Sequence, residues 1–244
     1  MKNSDAKRAA AGMIRRLADA ALDLLFPEGV TCLCCGRAPS RDLEAGLCEA
    51  CRMALDALRR RQDAGSQREC PPELAFVHAA FPYEEPARGL IWMLKYERVR
   101  SAALPLIDAM ALLTSGEEVV IVPVPTTKKR LKKRGFNQSM LLAQGIGRRL
   151  GMEVCDALCR VGEQKAQATL SGKERLQNLE GCMYAKMRLD GKKVLLVDDV
   201  YTTGATAREA ARALMQAGAV SVGVFAAARA VEGTDLPEFM QKSG

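Results

Sequence analysis

One stretch of the chain, residues 194–206, constrains the fold more than any other part of the sequence. It reads VLLVDDVYTTGAT, which is four apolar residues, two acids, and then mostly small residues. The apolar run predicts a buried strand, and the following pattern predicts a helix over residues 205–217, ended by Gly218, and a strand over residues 220–228. A strand, a helix and a strand in this order form the βαβ unit of a parallel sheet.

The sequence upstream continues this alternation of strands and helices. Apolar runs predict strands over residues 75–82 and 119–124. Helices are predicted over residues 49–61, 86–97, 102–113 and 137–150. Asn137 is placed to cap the last of these helices, and Gly151 to end it. We therefore expect an α/β fold built on a parallel sheet.

The residues between the predicted strand and helix suit a sugar phosphate. Ligands of parallel sheets bind beyond the carboxyl ends of the strands, and residues 202–206 occupy that place. Backbone N–H groups at a helix start bind anions, and Gly204 lets a phosphate approach the backbone closely. Asp198 and Asp199, the acidic pair, would accept hydrogen bonds from vicinal hydroxyls or bind Mg²⁺. These features predict ribose 5-phosphate; an ordinary capped helix, the alternative, leaves the acidic pair without a role.

This segment resembles the thirteen-residue signature of type I phosphoribosyltransferases, which bind phosphoribosyl pyrophosphate (PRPP). The resemblance implies a catalytic acidic pair that holds the ribose hydroxyls, and Mg²⁺ bound together with PRPP. It implies a phosphate loop that cradles the 5′-phosphate, made of Thr202, Thr203, Gly204, Ala205 and Thr206. Enzymes acting on 6-oxopurines often carry an acid at the position of Thr202, so the threonine argues against hypoxanthine or guanine as acceptor.

A basic segment lies between the strand predicted at 119–124 and the helix that Asn137 caps. Six of the seven residues from Lys128 to Arg134 are basic. We expect a mobile loop at the same sheet edge as the acidic pair, where it could clamp a pyrophosphate as it leaves. A solvated run of charge and a nucleic-acid contact are the alternatives.

The cysteines of the first part of the chain are spaced as metal ligands. They form two C-x₂-C pairs, Cys32 with Cys35 and Cys48 with Cys51, which together predict a structural, tetrahedral Zn²⁺ site. Cys34 is interpreted as a bystander, and disulfides or reduced core cysteines are the alternatives. We expect residues 1–63 to form an N-terminal helix and a zinc-ribbon-like module, and residues 64–244 the phosphoribosyltransferase-like domain.

Several motifs together resemble the ComF (ComFC) family over about residues 22–229. They are LFPxxxxCxxC with a second CxxC, KY at Lys95 and Tyr96, VPVP followed by RGFNQ, the polar R…Q…L…ER…N stretch over residues 160–178, and VDDVYTTGAT. The resemblance implies a type I phosphoribosyltransferase fold joined to a zinc module, and a link to DNA uptake in naturally competent bacteria. The further PRPP contacts expected from it are Lys95, Arg134, Asn137 and Gln138. Lys95 could instead be an ordinary surface lysine.

Charge and composition bear on partners and location. The net charge of +7 favours anionic partners, whereas an aromatic content of 5% counts against extensive base stacking. Charged residues interrupt the apolar stretch at 13–26, which therefore predicts an amphipathic helix instead of a secretory signal or membrane span, and a cytoplasmic protein.

Three functions remain open from the sequence. The first is PRPP-dependent transfer to an unknown acceptor, with residues 83–100 and the zinc module as candidates for acceptor selection. The second is a non-catalytic competence factor that binds single-stranded DNA or other competence proteins. The third is a zinc scaffold for protein interactions, which would require an inert phosphate loop.

Overall fold

The computed structural model describes residues 31–38, 43–64, 70–113, 119–160 and 183–230. The helix predicted over residues 13–26 and the polar stretch that follows Arg160 lie outside these residues. None of the helices in the described part of the chain is long and apolar enough to cross a membrane.

The centre of the molecule is a four-stranded parallel sheet. Its strands are β1 (Val77–Pro82), β2 (Val120–Pro123), β5 (Lys193–Tyr201) and β6 (Ser221–Arg229), arranged in the order β1–β6–β5–β2. Two short antiparallel strands, β3 (Leu158–Arg160) and β4 (Met183–Ala185), form a separate pair. In register, Leu196 of β5 pairs with Val122 on one side and with Val224 on the other. The predicted α/β class with a parallel sheet is confirmed.

Helices cover both faces of this sheet. They are α1 (Glu49–Ala64), α2 (Ala87–Trp92), α3 (Ala103–Ala111), α4 (Lys128–Arg134), α5 (Gln138–Leu150) and α6 (Ala205–Gln216). The predicted cap of α5 is confirmed, because the side chain of Asn137 accepts the backbone N–H of Ser139. Gly151 ends the helix in the left-handed conformation, as expected for a glycine at this position.

The buried core consists of two clusters, one on each face of the sheet. Alternate residues of β5 contribute to both. Leu195 and Val197 join the cluster that includes α3 and α5, whereas Val194 and Leu196 join the cluster that includes α6. Because residues 194–197 of β5 are buried on both faces, this part of the strand is an unbroken apolar run with no alternation of polar residues.

The cysteine-containing part packs directly against the sheet. Leu55 and Leu58 of α1 belong to the same buried cluster as Tyr83, which follows β1. At the edge of this contact Arg61 of α1 forms an ion pair with Glu84. The two predicted domains therefore share a core among the described residues.

The expectation of a loop over the basic segment is wrong, because Lys128–Arg134 forms helix α4. The helix is capped by Thr127, whose Oγ1 accepts the backbone N–H of Arg130 at 3.2 Å. Gly135 ends it with a φ of 85°. Lysine and arginine are good helix formers, so a capped run of them folds even though it is highly charged.

Two further elements differ from the predicted bounds. Strand β5 continues to Tyr201, so the acidic pair lies within the strand, held by backbone pairing with β6. The helix predicted over residues 86–97 is α-helical only to Trp92 and continues as a π-helix over Met93–Glu97. Arg98 ends the π-helix in the left-handed conformation, with a φ of 62°.

Candidate active site

A pocket of about 400 Å³ opens at the carboxyl ends of β2 and β5. It collects most of the site residues predicted from sequence: Lys95, Arg134, Asn137, Gln138, Asp198, Asp199, Thr202, Thr203 and Thr206 all line it. Gly204 and Ala205 belong to the phosphate loop but do not line the pocket. Residues more than a hundred positions apart in the chain thus meet at one edge of the sheet, as the strand order requires.

The acidic pair is largely buried at the floor of the pocket. Oδ1 of Asp198 accepts hydrogen bonds from the hydroxyl of Ser139, at 2.9 Å, and from the backbone N–H of Asp199, at 2.8 Å. Burial, followed by the negative charge of Asp199, raises the pKa of Asp198 to about 7. The carboxyl can thus exist in either protonation state near neutral pH, and its charge depends on what occupies the pocket.

Lys95 provides the counter-charge to the second carboxylate. Its Nζ lies 2.7 Å from Oδ1 of Asp199, and only 9% and 13% of the two side chains are exposed. The π-helix that carries Lys95 therefore contacts the floor of the pocket, and Lys95 is no surface lysine.

The phosphate loop joins β5 to α6 through one residue that must be glycine. Gly204 has a φ of 75°, and a Cβ at this position would lie 2.3 Å from Oη of Tyr201. The twelve-residue helix α6 begins directly after this turn, and the N–H of its first residue, Ala205, donates to Oγ1 of Thr203 at 3.4 Å. Thr202, Thr203 and Thr206 line the cavity. Threonine hydroxyls and the start of a helix therefore lie together, and this arrangement suits an anion.

Arginines line the pocket beside the acidic pair. Arg130 and Arg134 lie one turn apart on α4, and Arg160 ends β3. Burial and the positive charges of Arg134 and Arg160 lower the pKa of Arg130. Sequence reasoning missed Arg130 as a site residue, although its i, i+4 spacing from Arg134 would identify it once α4 is known to be a helix.

Two side chains hold Arg134 in place. Its guanidinium lies over the ring of Tyr96, 5.5 Å from the ring centroid, and donates to Oε1 of Gln138 at 3.2 Å. Gln138 is 2% exposed, and its Nε2 has no hydrogen-bond partner in the described part of the chain. This leaves one buried donor beside the arginine for a ligand oxygen.

The side chain of Asn137 stabilises the local backbone, although the residue also lines the pocket. Its Oδ1 accepts the N–H of Ser139, and its Nδ2 donates to the carbonyl of Val124 at 2.9 Å. These bonds tie the start of α5 to the loop after β2. Both polar atoms of its amide are therefore engaged before any ligand binds.

Four cysteines form a second candidate site away from the pocket. The Sγ atoms of Cys32, Cys35, Cys48 and Cys51 all lie within 4.8 Å of one another. Those of Cys35 and Cys48 are 3.9 Å apart, and sulfurs about 2.3 Å from a tetrahedral zinc ion would be about 3.8 Å apart. The cluster therefore fits a metal ion.

The thiols of this cluster differ in their tendency to ionise. Burial raises the pKa of Cys32, but hydrogen bonds from backbone N–H groups, including that of Cys48, outweigh it and leave the pKa at about 6. Burial and neighbouring thiols raise the pKa of Cys34 to about 12. Cys34 therefore stays a neutral thiol, as expected for the bystander of the first pair.

Comparison with known proteins agrees with this arrangement. The phosphoribosyl transferase domain family matches residues 137–244. The DNA utilization protein YhgH of Escherichia coli K12 is 32% identical over 208 residues, which cover 81% of this chain and 89% of that protein. The chain belongs to the ComF family of phosphoribosyltransferase-domain proteins. Another relative, the competence protein ComFC of Bacillus subtilis, is 29% identical and covers 81% of this chain and 77% of its own.

Among solved structures, the glutamine PRPP amidotransferase of B. subtilis is 24% identical to this ComF-family chain. The match covers 50% of this chain and 25% of that enzyme, with a TM-score of 0.39.

Proposed function

We propose that this ComF-family chain binds PRPP with Mg²⁺ in the pocket and transfers its 5-phosphoribosyl group to an acceptor. One observation carries the proposal. Within a cavity of about 400 Å³, the threonines of the phosphate loop, a largely buried acidic pair and three arginines all line the same space. Each of these three groups matches one part of PRPP, namely the 5-phosphate, the ribose diol and the pyrophosphate.

The residues take separate roles in this proposal. The phosphate loop holds the 5-phosphate through backbone N–H groups and the hydroxyls of Thr202, Thr203 and Thr206. The acidic pair accepts hydrogen bonds from the ribose hydroxyls. Arg130, Arg134 and Arg160 bind the pyrophosphate, and Nε2 of Gln138 donates to one of its oxygens. These groups, together with Lys95 and Asn137, which also line the pocket, fix the reacting C1 atom for attack.

Transfer needs no covalent intermediate with the protein. The bond from C1 to the pyrophosphate oxygen breaks, and its electron pair stays on the pyrophosphate. The acceptor forms the new bond to C1 and gives up its proton. Positive charge developing on the ribose is stabilised by the carboxylates, and negative charge on the leaving group by the arginines.

Oxygen-seeking Mg²⁺ fits this site because carboxylate oxygens lie beside the space for a polyphosphate. Asp198 would hold it jointly with phosphate oxygens of PRPP, where it would neutralise leaving-group charge. The four cysteines would hold Zn²⁺ in a purely structural role, since four thiolates leave no open position.

Calorimetric titration of Mg·PRPP tests the proposal. Wild-type protein should bind in the micromolar range. The Asp198→Asn/Asp199→Asn variant should lose at least about tenfold in affinity, because each buried hydrogen bond to a charged group contributes about 1.5–3 kcal/mol. The matched control is Glu153→Gln/Asp156→Asn, which removes two exposed carboxylates outside the pocket and should bind like wild type. No binding by a folded, zinc-loaded wild type would contradict the proposal.

A second candidate function is binding of single-stranded DNA in a competence or DNA-utilization process in the cytoplasm, alone or with other competence proteins. Helix α4 favours it, since Arg130 and Arg134 face the pocket while its lysines are exposed: Lys128, Lys129, Lys132 and Lys133. Relatives named for competence and DNA utilization support this direction.

The two functions respond differently to the same substitutions. Replacing Lys128 and Lys132 by glutamine should weaken binding of labelled single-stranded DNA and reduce its salt dependence. The Asp198→Asn/Asp199→Asn variant should leave DNA affinity unchanged or raise it, because it removes negative charge. A DNA affinity lost with the acidic pair would argue against a separate DNA surface.

A further inference from the structure

Lys95 occupies an unusual place for a lysine. It is 8% exposed and is one of four buried polar residues in the described part of the chain. Lysine is almost never buried without a partner of opposite charge, and here the partner is Asp199, at 2.7 Å. The ion pair is therefore a fixed part of the pocket floor.

The backbone is shaped to deliver this side chain. Lys95 lies in the π-helix Met93–Glu97, which continues α2 and ends at Arg98 in the left-handed conformation. Leu94, next to it, is completely buried and anchors the segment. π-Helical turns and left-handed residues other than glycine are uncommon and concentrate at functional sites.

We infer that Lys95 is the resident counter-ion of the acidic pair, which keeps free divalent cations out and leaves the pair to bind the neutral diol of a ribose phosphate. Metal then enters only together with the phosphates of the ligand. This inference rests on the proposed PRPP function. It adds an order of binding, in which the metal ion binds only with the phosphorylated ligand, because the protein alone has no metal site at the acidic pair.

Electrostatics gives the reason for this selectivity. A cation approaching Asp199 meets an ammonium group already in contact with that carboxylate, and low exposure to water leaves their repulsion poorly screened. Neutral hydroxyls meet no such repulsion. A carboxylate offers roughly four acceptor positions, so Asp199 can bind Lys95 and a ribose hydroxyl at the same time.

Titration with Mn²⁺ alone, followed by the electron paramagnetic resonance signal of the free ion, tests the inference. Wild type and Lys95→Arg, which keeps the charge, should show no Mn²⁺ site that depends on Asp199. Lys95→Met should gain one site that binds Mn²⁺ at least about tenfold more tightly than wild type does, because the repelling charge is gone. The gained site should disappear in Lys95→Met/Asp199→Asn.

An Mn²⁺ affinity of wild type equal to that of Lys95→Met would overturn the inference, as would a gained site that survives Asp199→Asn. If Lys95→Met does not fold, wild type and Asp199→Asn decide. A wild-type site lost in Asp199→Asn overturns the inference, and equal weak binding by both supports it. Calorimetry with Mg·PRPP is a separate readout, so failure of PRPP binding is distinguishable from failure of the metal exclusion.

Discussion

Gly204 illustrates how a single residue shapes the phosphate loop. Its left-handed φ alone would disfavour a side chain, but the ring and hydroxyl of Tyr201 also fill the space that a Cβ would need. Conformation and packing therefore both require glycine here, at the turn between β5 and α6.

Replacing Gly204 with alanine should cost more stability than the same change at Gly191. Both glycines have a φ near 70°, but no atom lies within 4 Å of a Cβ at Gly191. Gly191→Ala should therefore lose only the conformational term of about 1–2 kcal/mol, and Gly204→Ala should lose more and weaken phosphate binding. Urea unfolding and phosphate titration measure both effects. Equal losses would mean that the contact with Tyr201 does not matter.

The raised pKa of Asp198 predicts how stability depends on pH. Between its ordinary value of 3.8 and about 7, the folded protein keeps a proton that the unfolded chain has released. The free energy of unfolding of ligand-free wild type should therefore fall as pH rises through this range. Asp198→Asn keeps a side-chain oxygen that accepts the hydroxyl of Ser139 but removes the negative charge. At pH 8 this variant should therefore be more stable than wild type by about 1–3 kcal/mol.

Unfolding curves at pH 5 and pH 8 check this sign. The advantage of Asp198→Asn should be larger at pH 8 than at pH 5. An advantage that is constant with pH would show that Asp198 does not bind a proton more tightly in the folded state. Ser139→Ala, which removes one hydrogen bond to the carboxylate, should raise the pKa of Asp198 further.

At the scale of elements, the function of α4 depends on its cap. The helix has only seven residues and no buried side chain, so hydrogen bonds at its start matter more than in a long helix. Thr127→Ala should cost about 1 kcal/mol, fray the first turn, and lower affinity for pyrophosphate severalfold by displacing Arg130. Thr127→Ser keeps the accepting hydroxyl and should bind like wild type. Calorimetry with pyrophosphate compares the three proteins, and equal affinities would contradict this role.

Elements with a regular apolar pattern could be predicted from the sequence. The run VLLV identified β5, and Asn137 with Gly151 gave the bounds of α5. The cap and C-terminal glycine of α4 were present too, but the density of charge between them favoured a loop. Such a segment becomes a helix because its caps and propensities outweigh repulsion between exposed charges, which water and salt screen.

Contacts between distant elements could not be predicted in this way. Ser139 bonds to Asp198 across 59 residues of sequence. Lys95, which lies on a π-helix where an α-helix was expected, contacts Asp199. No local pattern contains either pairing. The sequence identified the carboxylates and the lysine as candidate site residues, but their contact forms only when distant elements pack together at the sheet edge.

At the scale of the whole molecule, the cysteine cluster supports the sheet domain. Residues of both parts fill one buried cluster, which includes Cys32 and Leu47 on one side and Leu90 and Leu94 on the other. Leu94 immediately precedes Lys95. The module therefore supports the segment that reaches the pocket floor.

Loss of metal should affect both parts. Cys48→Ser should abolish zinc binding, lower the free energy of unfolding by about 2–4 kcal/mol and lower the Tm by roughly 5–10 °C. Affinity for PRPP should fall as well. Cys34→Ser is the control, since Cys34 is outside the ligand set and should keep one zinc per chain. Elemental analysis, thermal unfolding and calorimetry on the same samples test this. An unchanged PRPP affinity in zinc-free protein would show that the pocket does not depend on the metal-bound module.

The order of the strands also governs how the chain can acquire its structure. Strand β1 is the first strand among the described residues, yet its partner in the sheet is β6, the last one. During synthesis the backbone of β1 therefore stays unpaired until β6, near the end of the sheet domain, has left the ribosome. Such long-range pairing slows folding and exposes the nascent chain to aggregation. Helix α1 of the zinc-ribbon-like module packs against β1. A module that has already folded around its metal would therefore cover β1 while its partner strand is still missing.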